Sequence, residues 1–494
     1  MGPSALTIRN LTLNPIGLVL VERFEAPTAV GNGLFNLANL THITRTFTGF
    51  RSNSTGPTSP QLALHAGTFS HQDISTHIGA FETKPTNIQV NPNQVLRLTF
   101  EVEGQRYRID TPLASERSTT LTSLSPNPRF EFMAVYLSKY SHLSLFSSAK
   151  LESWMSKLKS ETPLSALSIP GTHNSPTHHP ALPSVRCQAV SVKHQLNHGM
   201  RFLDIRVQPE QPDDPSKDGL ILVHSAFPIS LTGNKYLRGV IDQVIAFLDT
   251  NPSETVIISL KREGLGKATD QHLSKILHDH YANDPSYWFT ENRIPTLGEA
   301  RKKVVIIRRF ALHESLKGEN SGAGWCIDAE SWPDNCADGM CSSGEVRVQD
   351  FYEVSESEQI EKKIGLSRDH LMKAAQVVSH LPGNMNTASG SAKQPFFVNF
   401  LSASNFWRTN CWPNRIALKV NPAILEHLCR RHNDSSALWD PEQGDERQAV
   451  GDGGTGIVVI DWAGNNGDWD LVRCIVGMNS KLEMRKTGLS HEMG

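Results

Sequence analysis

The chain has 494 residues, 38% of them hydrophobic and 20% charged, with a formal net charge of −2. That length exceeds one ordinary domain, so two are expected, and a near-neutral balance with no basic tail excludes a general nucleic-acid binder. Seven cysteines, an odd number spread along the chain, exclude a disulfide framework. Cys326, Cys336 and Cys341 cluster without the paired spacings of a zinc site, and are expected as free thiols or one local disulfide.

The first ten residues lack a basic stretch followed by a long apolar core, so no secretory signal is read there. No run of about 18 apolar residues occurs that would span a membrane. Together these predict a cytoplasmic protein, or a secreted one whose signal peptide has been removed. Up to residue 145 the hydrophobic pattern alternates, in Leu6–Leu13, Gly17–Phe24, Val95–Val102 and Phe130–Tyr136, between stretches rich in Asn, Gly, Pro, Ser and Thr. Period-two runs with such turns predict an antiparallel β-sandwich over 1–145, a binding or scaffolding module. No cluster of acids or histidines in it makes a site.

From about residue 150 the rhythm changes. Apolar runs at 166–170, 201–207, 220–225, 256–261, 303–308, 345–350, 396–401 and 456–461 alternate with amphipathic stretches such as 239–250 and 270–281. Eight such runs predict an α/β fold over 150–494, a (β/α)8 TIM-type barrel. It is expected to be irregular, because the interval between the second and third runs is short and helix-poor.

Active groups in a parallel barrel come from the carboxyl ends of its strands. Here His173 follows the first run, Asp204 and Arg206 share a face of the second, and His224 ends the third. Lys261 and Glu263 close the fourth run, Arg308 and Arg309 the fifth, Asp350 and Tyr352 the sixth, and Asp461 the eighth. Asp204 with Arg206, and Lys261 with Glu263, would also satisfy each other as buried ion pairs. Concentrated at one end of a barrel, the set suits catalysis. One imidazole can accept a proton while another donates one, and an arginine stabilises charge growing on a phosphodiester. Asp461, on the strand expected beside the first, is placed to orient His173.

The segments Ile169-Pro170-Gly171-Thr172-His173-Asn174-Ser175, Phe202-Leu203-Asp204-Ile205-Arg206, Leu222-Val223-His224 and Val256 to Glu263 together resemble the X domain of bacterial-type phosphatidylinositol-specific phospholipase C. The similarity is strongest over roughly 160–310 and leaves the sandwich outside. It implies His173 as general base on the inositol 2-hydroxyl, His224 as general acid and Arg206 on the phosphate. Asp461 would orient His173, and Asp204 would support the acid–base pair. Lys261, Glu263, Arg309, Asp350 and Tyr352 would hold the inositol ring, and the product would be a cyclic inositol phosphate.

Two positions depart from the family pattern. Asn174 stands where an aspartate usually assists the general acid, and Ser225 where a glycine often follows the second histidine. Calcium-dependent relatives have asparagine at the first position, but Arg206 and Lys261 replace their further carboxylates, so no metal or other cofactor is expected. His178 and His179 are read as a loop pair facing solvent. The expected partners are an inositol phospholipid and the membrane surface that holds it, with Trp325, Trp332, Phe406, Trp407 and Trp412 as candidates for the lipid boundary. The alternatives are a phosphodiesterase for another lipid headgroup and a catalytically weak lipid-binding or scaffolding protein.

Overall fold

The structure is a computed structural model, which describes residues 4–25, 70–91, 93–111, 118–214, 216–379, 394–434 and 451–484. Two compact units divide the chain. The first comprises Met1–Asn10 and Asn14–Leu145, the second Leu11–Leu13 and Phe146–Gly494.

The first unit contains two five-stranded sheets. One runs in the order Thr83–Val90, Ser4–Asn10, His142–Ser147, Phe132–Leu137 and Ser118–Thr120. The other runs Ser70–Ile78, Ile16–Glu25, Gln94–Val102, Gln105–Thr111 and Thr122–Ser123. Alternate residues of both, among them Leu6, Ile8, Leu18, Val21, Leu98, Phe100, Ile109 and Leu143, meet in one core, as period-two strands facing a partner sheet must. One pair departs from the expected antiparallel arrangement: Ser4–Asn10 and His142–Ser147 are parallel. Parallel neighbours need a long crossover, and here nearly the whole unit lies between the two strands.

In the second unit seven parallel strands form a curled sheet in the order Val304–Arg309, Val256–Arg262, Phe202–Pro209, Ile169–Thr172, Ile457–Ile460, Phe396–Phe400 and Val346–Gln349. The last strand of the chain lies beside the first, as a TIM-type barrel requires. No pairing joins Val304–Arg309 to Val346–Gln349 among the described residues, so the barrel has an open seam.

The run expected as the third barrel strand is not one. Leu220–His224 pairs antiparallel with Phe202–Pro209 and turns into a short hairpin at Phe227–Pro228. Residues 210–219 are too few for the crossover that a parallel partner needs. Helix Leu237–Thr250 follows, with Leu237, Val240, Ile241, Val244 and Leu248 buried at helical spacing against the outer faces of the strands.

Strand alternation separates two cores. Leu203, Ile205 and Val207 point outward to the helices. Phe202, Ile257, Val305, Ile307, Val346, Val348, Val398, Phe400, Ile457 and Val459 fill the barrel. Gly171 lets the first strand pass close over this layer, since a Cβ there would lie 2.7 Å from the Cβ of Phe202.

Candidate active site

Each inward column begins apolar and ends polar. Phe202 is followed on its face by Asp204 and Arg206, Ile257 by Ser259 and Lys261, Ile307 by Arg309, Val348 by Asp350, and Val459 by Asp461. The strands therefore deliver their charged residues to one end of the barrel. Arg308, one residue out of step, leaves this group and pairs with Asp328 at 2.9 Å and Glu330 at 3.1 Å.

His173 follows the first strand, its backbone N–H donating to Ile460 O. Its Nδ1 donates to Asp461 Oδ1 at 2.9 Å across the adjacent last strand. Asn174 turns the chain with φ +43°. Its backbone N–H donates to Asp204 Oδ2 at 3.2 Å, and its amide nitrogen lies 3.3 Å from His173 Nε2. The residue expected to assist His224 thus faces His173.

His224 ends the hairpin strand, its Nδ1 donating to Val185 O at 3.0 Å. Its ring centre is 5.9 Å from that of His173, with the ring planes at 89°. Ser225 has φ +54°, a backbone state that favours glycine, and its N–H donates to Glu263 Oε2 at 2.8 Å.

Between these groups the charges form one chain. Lys261 Nζ lies 3.0 Å from Glu263 Oε1, which is 3.2 Å from Arg206. Arg206 is 3.3 Å from Asp204, and Asp204 is 3.4 Å from Arg309. Arg309 reaches Asp350 at 3.9 Å and its guanidinium carbon sits over the Trp332 ring, 3.9 Å from its centre, while Trp332 Nε1 donates to Asp350 at 3.0 Å. Tyr352 is half-buried at the rim, its hydroxyl donating to Asp334 at 3.0 Å.

These surroundings set the protons. Burial disfavours charge on His173, but the Asp461 carboxylate outweighs it and holds the imidazole well above its ordinary pKa. His224 is pushed down to about 4 by burial, with Arg206 and His173 adding to the shift. Burial opposes ionisation of Glu263, yet Arg206 and Lys261 hold its carboxyl down at about 2. Asp204 is likewise lowered against burial by Arg206 and Arg309.

Several residues the sequence reading passed over support this arrangement. Gln188 donates through Nε2 to His173 O at 2.7 Å and to Ile460 O at 2.9 Å, clamping the first and last strands. Cys187, in the same segment as Val185, has its Sγ 3.8 Å from His224 Nδ1. Beneath the site Lys363 is fully buried, donating to Gln349 Oε1 at 3.0 Å, and burial lowers it to about 7. The signal was present for Cys187 and Gln188, which lie between the two histidine segments. Lys363 carried none, being one lysine in an amphipathic helix.

The aromatic residues divide. Trp325 is 2% exposed and belongs to the core, which removes it from the lipid boundary. Trp332 lines the charged site as described. Phe406 and Trp407 are exposed, Trp407 at 85%, and Phe406 stacks on exposed Phe227 beside the His224 hairpin. Trp412 is half-buried, donating to Phe406 O at 3.2 Å. The His178 and His179 rings have centres 4.0 Å apart with their planes tilted at 36°, and both residues are half-buried where solvent-facing ones were expected. All seven cysteines are free, so the cluster at Cys326, Cys336 and Cys341 holds no disulfide.

Residues 160–310 match the family described as phosphatidylinositol-specific phospholipase C, X domain. The resemblance expected from the sequence over roughly 160–310 is borne out by this match. A 1-phosphatidylinositol phosphodiesterase of Listeria monocytogenes is 35% identical over 171 residues, covering 33% of this chain and 50% of the relative. The chain therefore spans about half the length of that relative. A 1-phosphatidylinositol phosphodiesterase of Staphylococcus aureus is 26% identical over 352 residues, covering 68% of this chain and 97% of the relative. The solved Listeria phosphatidylinositol-specific phospholipase C aligns over 67% of this chain and 99% of its own, with 22% identity and a TM-score of 0.47. A solved Staphylococcus aureus enzyme of the same name aligns over 67% and 97%, with 24% identity and a TM-score of 0.49. No helix among the described residues is long and apolar enough to cross a membrane.

Proposed function

We propose that this chain is a phosphatidylinositol-specific phospholipase C, a phosphodiesterase that forms a cyclic inositol phosphate by paired histidine catalysis without a metal. The observation that carries this reading is the pairing of His173, tied to Asp461 at 2.9 Å, with a second imidazole 5.9 Å away beside the Arg206 ion chain. That spacing admits one phosphate group between base and acid.

In the resting site His173 carries the proton and His224 does not. A bound phosphodiester anion beside His224 raises that ring's proton affinity, so the productive arrangement is His173 neutral and His224 protonated. Asn174 suits this exchange. Its amide can donate to a neutral His173 Nε2 or, turned over, accept from the imidazolium, whereas an aspartate there would favour only the charged ring. His173 then takes the inositol 2-hydroxyl proton as that oxygen attacks phosphorus, and Arg206 stabilises the charge on the non-bridging oxygens. His224 protonates the departing diacylglycerol oxygen. The pair ends in its resting protonation, ready to hydrolyse the cyclic phosphate in reversed roles.

Asp204 fixes Arg206 and Arg309 from below, and Lys261, Glu263, Arg309 and Asp350 present charged groups to the inositol hydroxyls. Tyr352 offers its ring at the rim. Phe227, Phe406 and Trp407 form the edge that meets a phospholipid surface. Seven free thiols fit a reducing compartment, which supports a cytoplasmic protein peripheral to membranes. Residues 1–145 act as a separate binding or scaffolding module, residues 150–494 as the enzyme. The test is release of water-soluble inositol phosphate from phosphatidylinositol vesicles. Intact chain is expected to release it, with chelator present, and His173→Ala and His224→Ala are expected not to. Equal release by all three would overturn the assignment.

A further inference from the structure

The mechanism uses both histidines but leaves the thiol beside them without a task. Cys187 is fully buried, and one ligand atom from each of His173, Cys187 and His224 can be chosen so that all three lie within 4.8 Å of one another. Tetrahedral zinc, with bonds of about 2.3 Å to sulfur and about 2.0 Å to imidazole nitrogen, needs donors roughly 3.3–3.6 Å apart. Cys187 Sγ lies 3.8 Å from His224 Nδ1, which places the thiol against the edge of that ring.

The outer groups are also those of a metal site. His173 gives its Nδ1 proton to a carboxylate, Asp461, and His224 gives its Nδ1 proton to a backbone carbonyl, Val185 O. Ligating histidines are held in this way, with the free Nε2 turned to the ion. Softness selects the ion. A thiolate with two imidazoles suits zinc and not magnesium or calcium, which take oxygen ligands. Arg206 and Lys261 oppose any cation, but Cys187 would bind as thiolate, so the departing proton cancels one of the two charges the ion brings.

We propose that His173, Cys187 and His224 form an inhibitory zinc(II) site in the catalytic cleft. The ion occupies the lone pairs of both histidines, so neither moves a proton while it is bound. Cys187 adds no step to turnover and serves as the soft ligand that makes the cleft sensitive to zinc. The regulatory meaning rests on the phospholipase reading; the metal site itself does not.

The test separates the two. Titrating the reduced full-length chain with cobalt(II) should give the near-ultraviolet thiolate-to-cobalt charge-transfer band together with intense visible bands of tetrahedral geometry. Cys187→Ser should lose the charge-transfer band while keeping the far-ultraviolet circular dichroism of the intact chain. The zinc concentration that halves vesicle hydrolysis should rise by at least about 100-fold in Cys187→Ser, the upper figure for loss of even an outer partner. If Cys187→Ser does not fold, His224→Gln, read only in the cobalt spectrum, should shift the visible bands. Absence of the charge-transfer band in the intact chain, or its persistence in Cys187→Ser, would overturn the site. A chain that shows the band but releases no inositol phosphate would retain the site and lose the phospholipase reading.

Discussion

The interior of the sandwich and the interior of the barrel are built from the same alternation but end differently. In Gln94–Val102 the inward residues Leu96, Leu98 and Phe100 are apolar through to Val102. In Phe202–Pro209 the inward face starts with Phe202 and then carries Asp204, a fully buried ion that burial alone would penalise by several kcal/mol, and Arg206, whose side chain is 12% exposed. A strand that keeps its period while changing from apolar to charged marks where the chain gives up packing for chemistry.

Four substitutions sharpen or break that contrast. The largest effect on turnover is expected from His224→Ala, about 10²–10⁴-fold in kcat on phosphatidylinositol, with the unfolding transition little changed. An intact kcat would show that the charged end of the barrel is only a satisfied ion network. Arg206→Lys keeps the charge but loses the planar fork that spans Asp204 and Glu263. Steady-state kinetics should show kcat down by about 10²–10³-fold.

Asp461→Asn tests the proton arrangement. Activity of a reversed-protonation pair is lost in acid as His224 gains its proton near pH 4, and in alkali as His173 loses the proton that Asp461 holds there. Removing the carboxylate lowers the His173 pKa, so the alkaline limb of kcat/KM should move to lower pH while the acid limb stays. An unmoved alkaline limb would separate Asp461 from the base. In the sandwich, Phe100→Ala should cost about 3–5 kcal/mol of that unit's stability in a denaturant titration. It should leave the kcat of the barrel unchanged; a proportional loss of kcat would erase the contrast.

Much of this was legible in the sequence, for reasons that also explain the gaps. Alternation gave the sandwich core, and the ends of the runs gave His173, Asp204, Arg206, Lys261, Arg309, Asp350 and Asp461, because a period of two fixes the face each residue takes. The same rule separates Arg309 from Arg308. Direction was not legible: Leu222-Val223-His224 reads alike in a parallel strand and a hairpin, and only connection length tells them apart. Support from loops was legible only as a position between the two histidine segments. Val185, Cys187 and Gln188 act through a backbone carbonyl, a thiol and an amide whose partners lie up to 275 residues away. Trp325 and Trp407 show the remaining limit, since loop tryptophans in one sequence context lie in the core in one case and in solvent in the other.

The most direct measurement is phosphorus NMR of phosphatidylinositol incubated with the full-length chain and chelator. A cyclic inositol phosphate resonance is expected first, followed slowly by the acyclic monophosphate, and neither is expected with His173→Ala. Direct formation of the acyclic phosphate with no cyclic intermediate, or turnover that stops with chelator and returns with calcium, would contradict the proposed function.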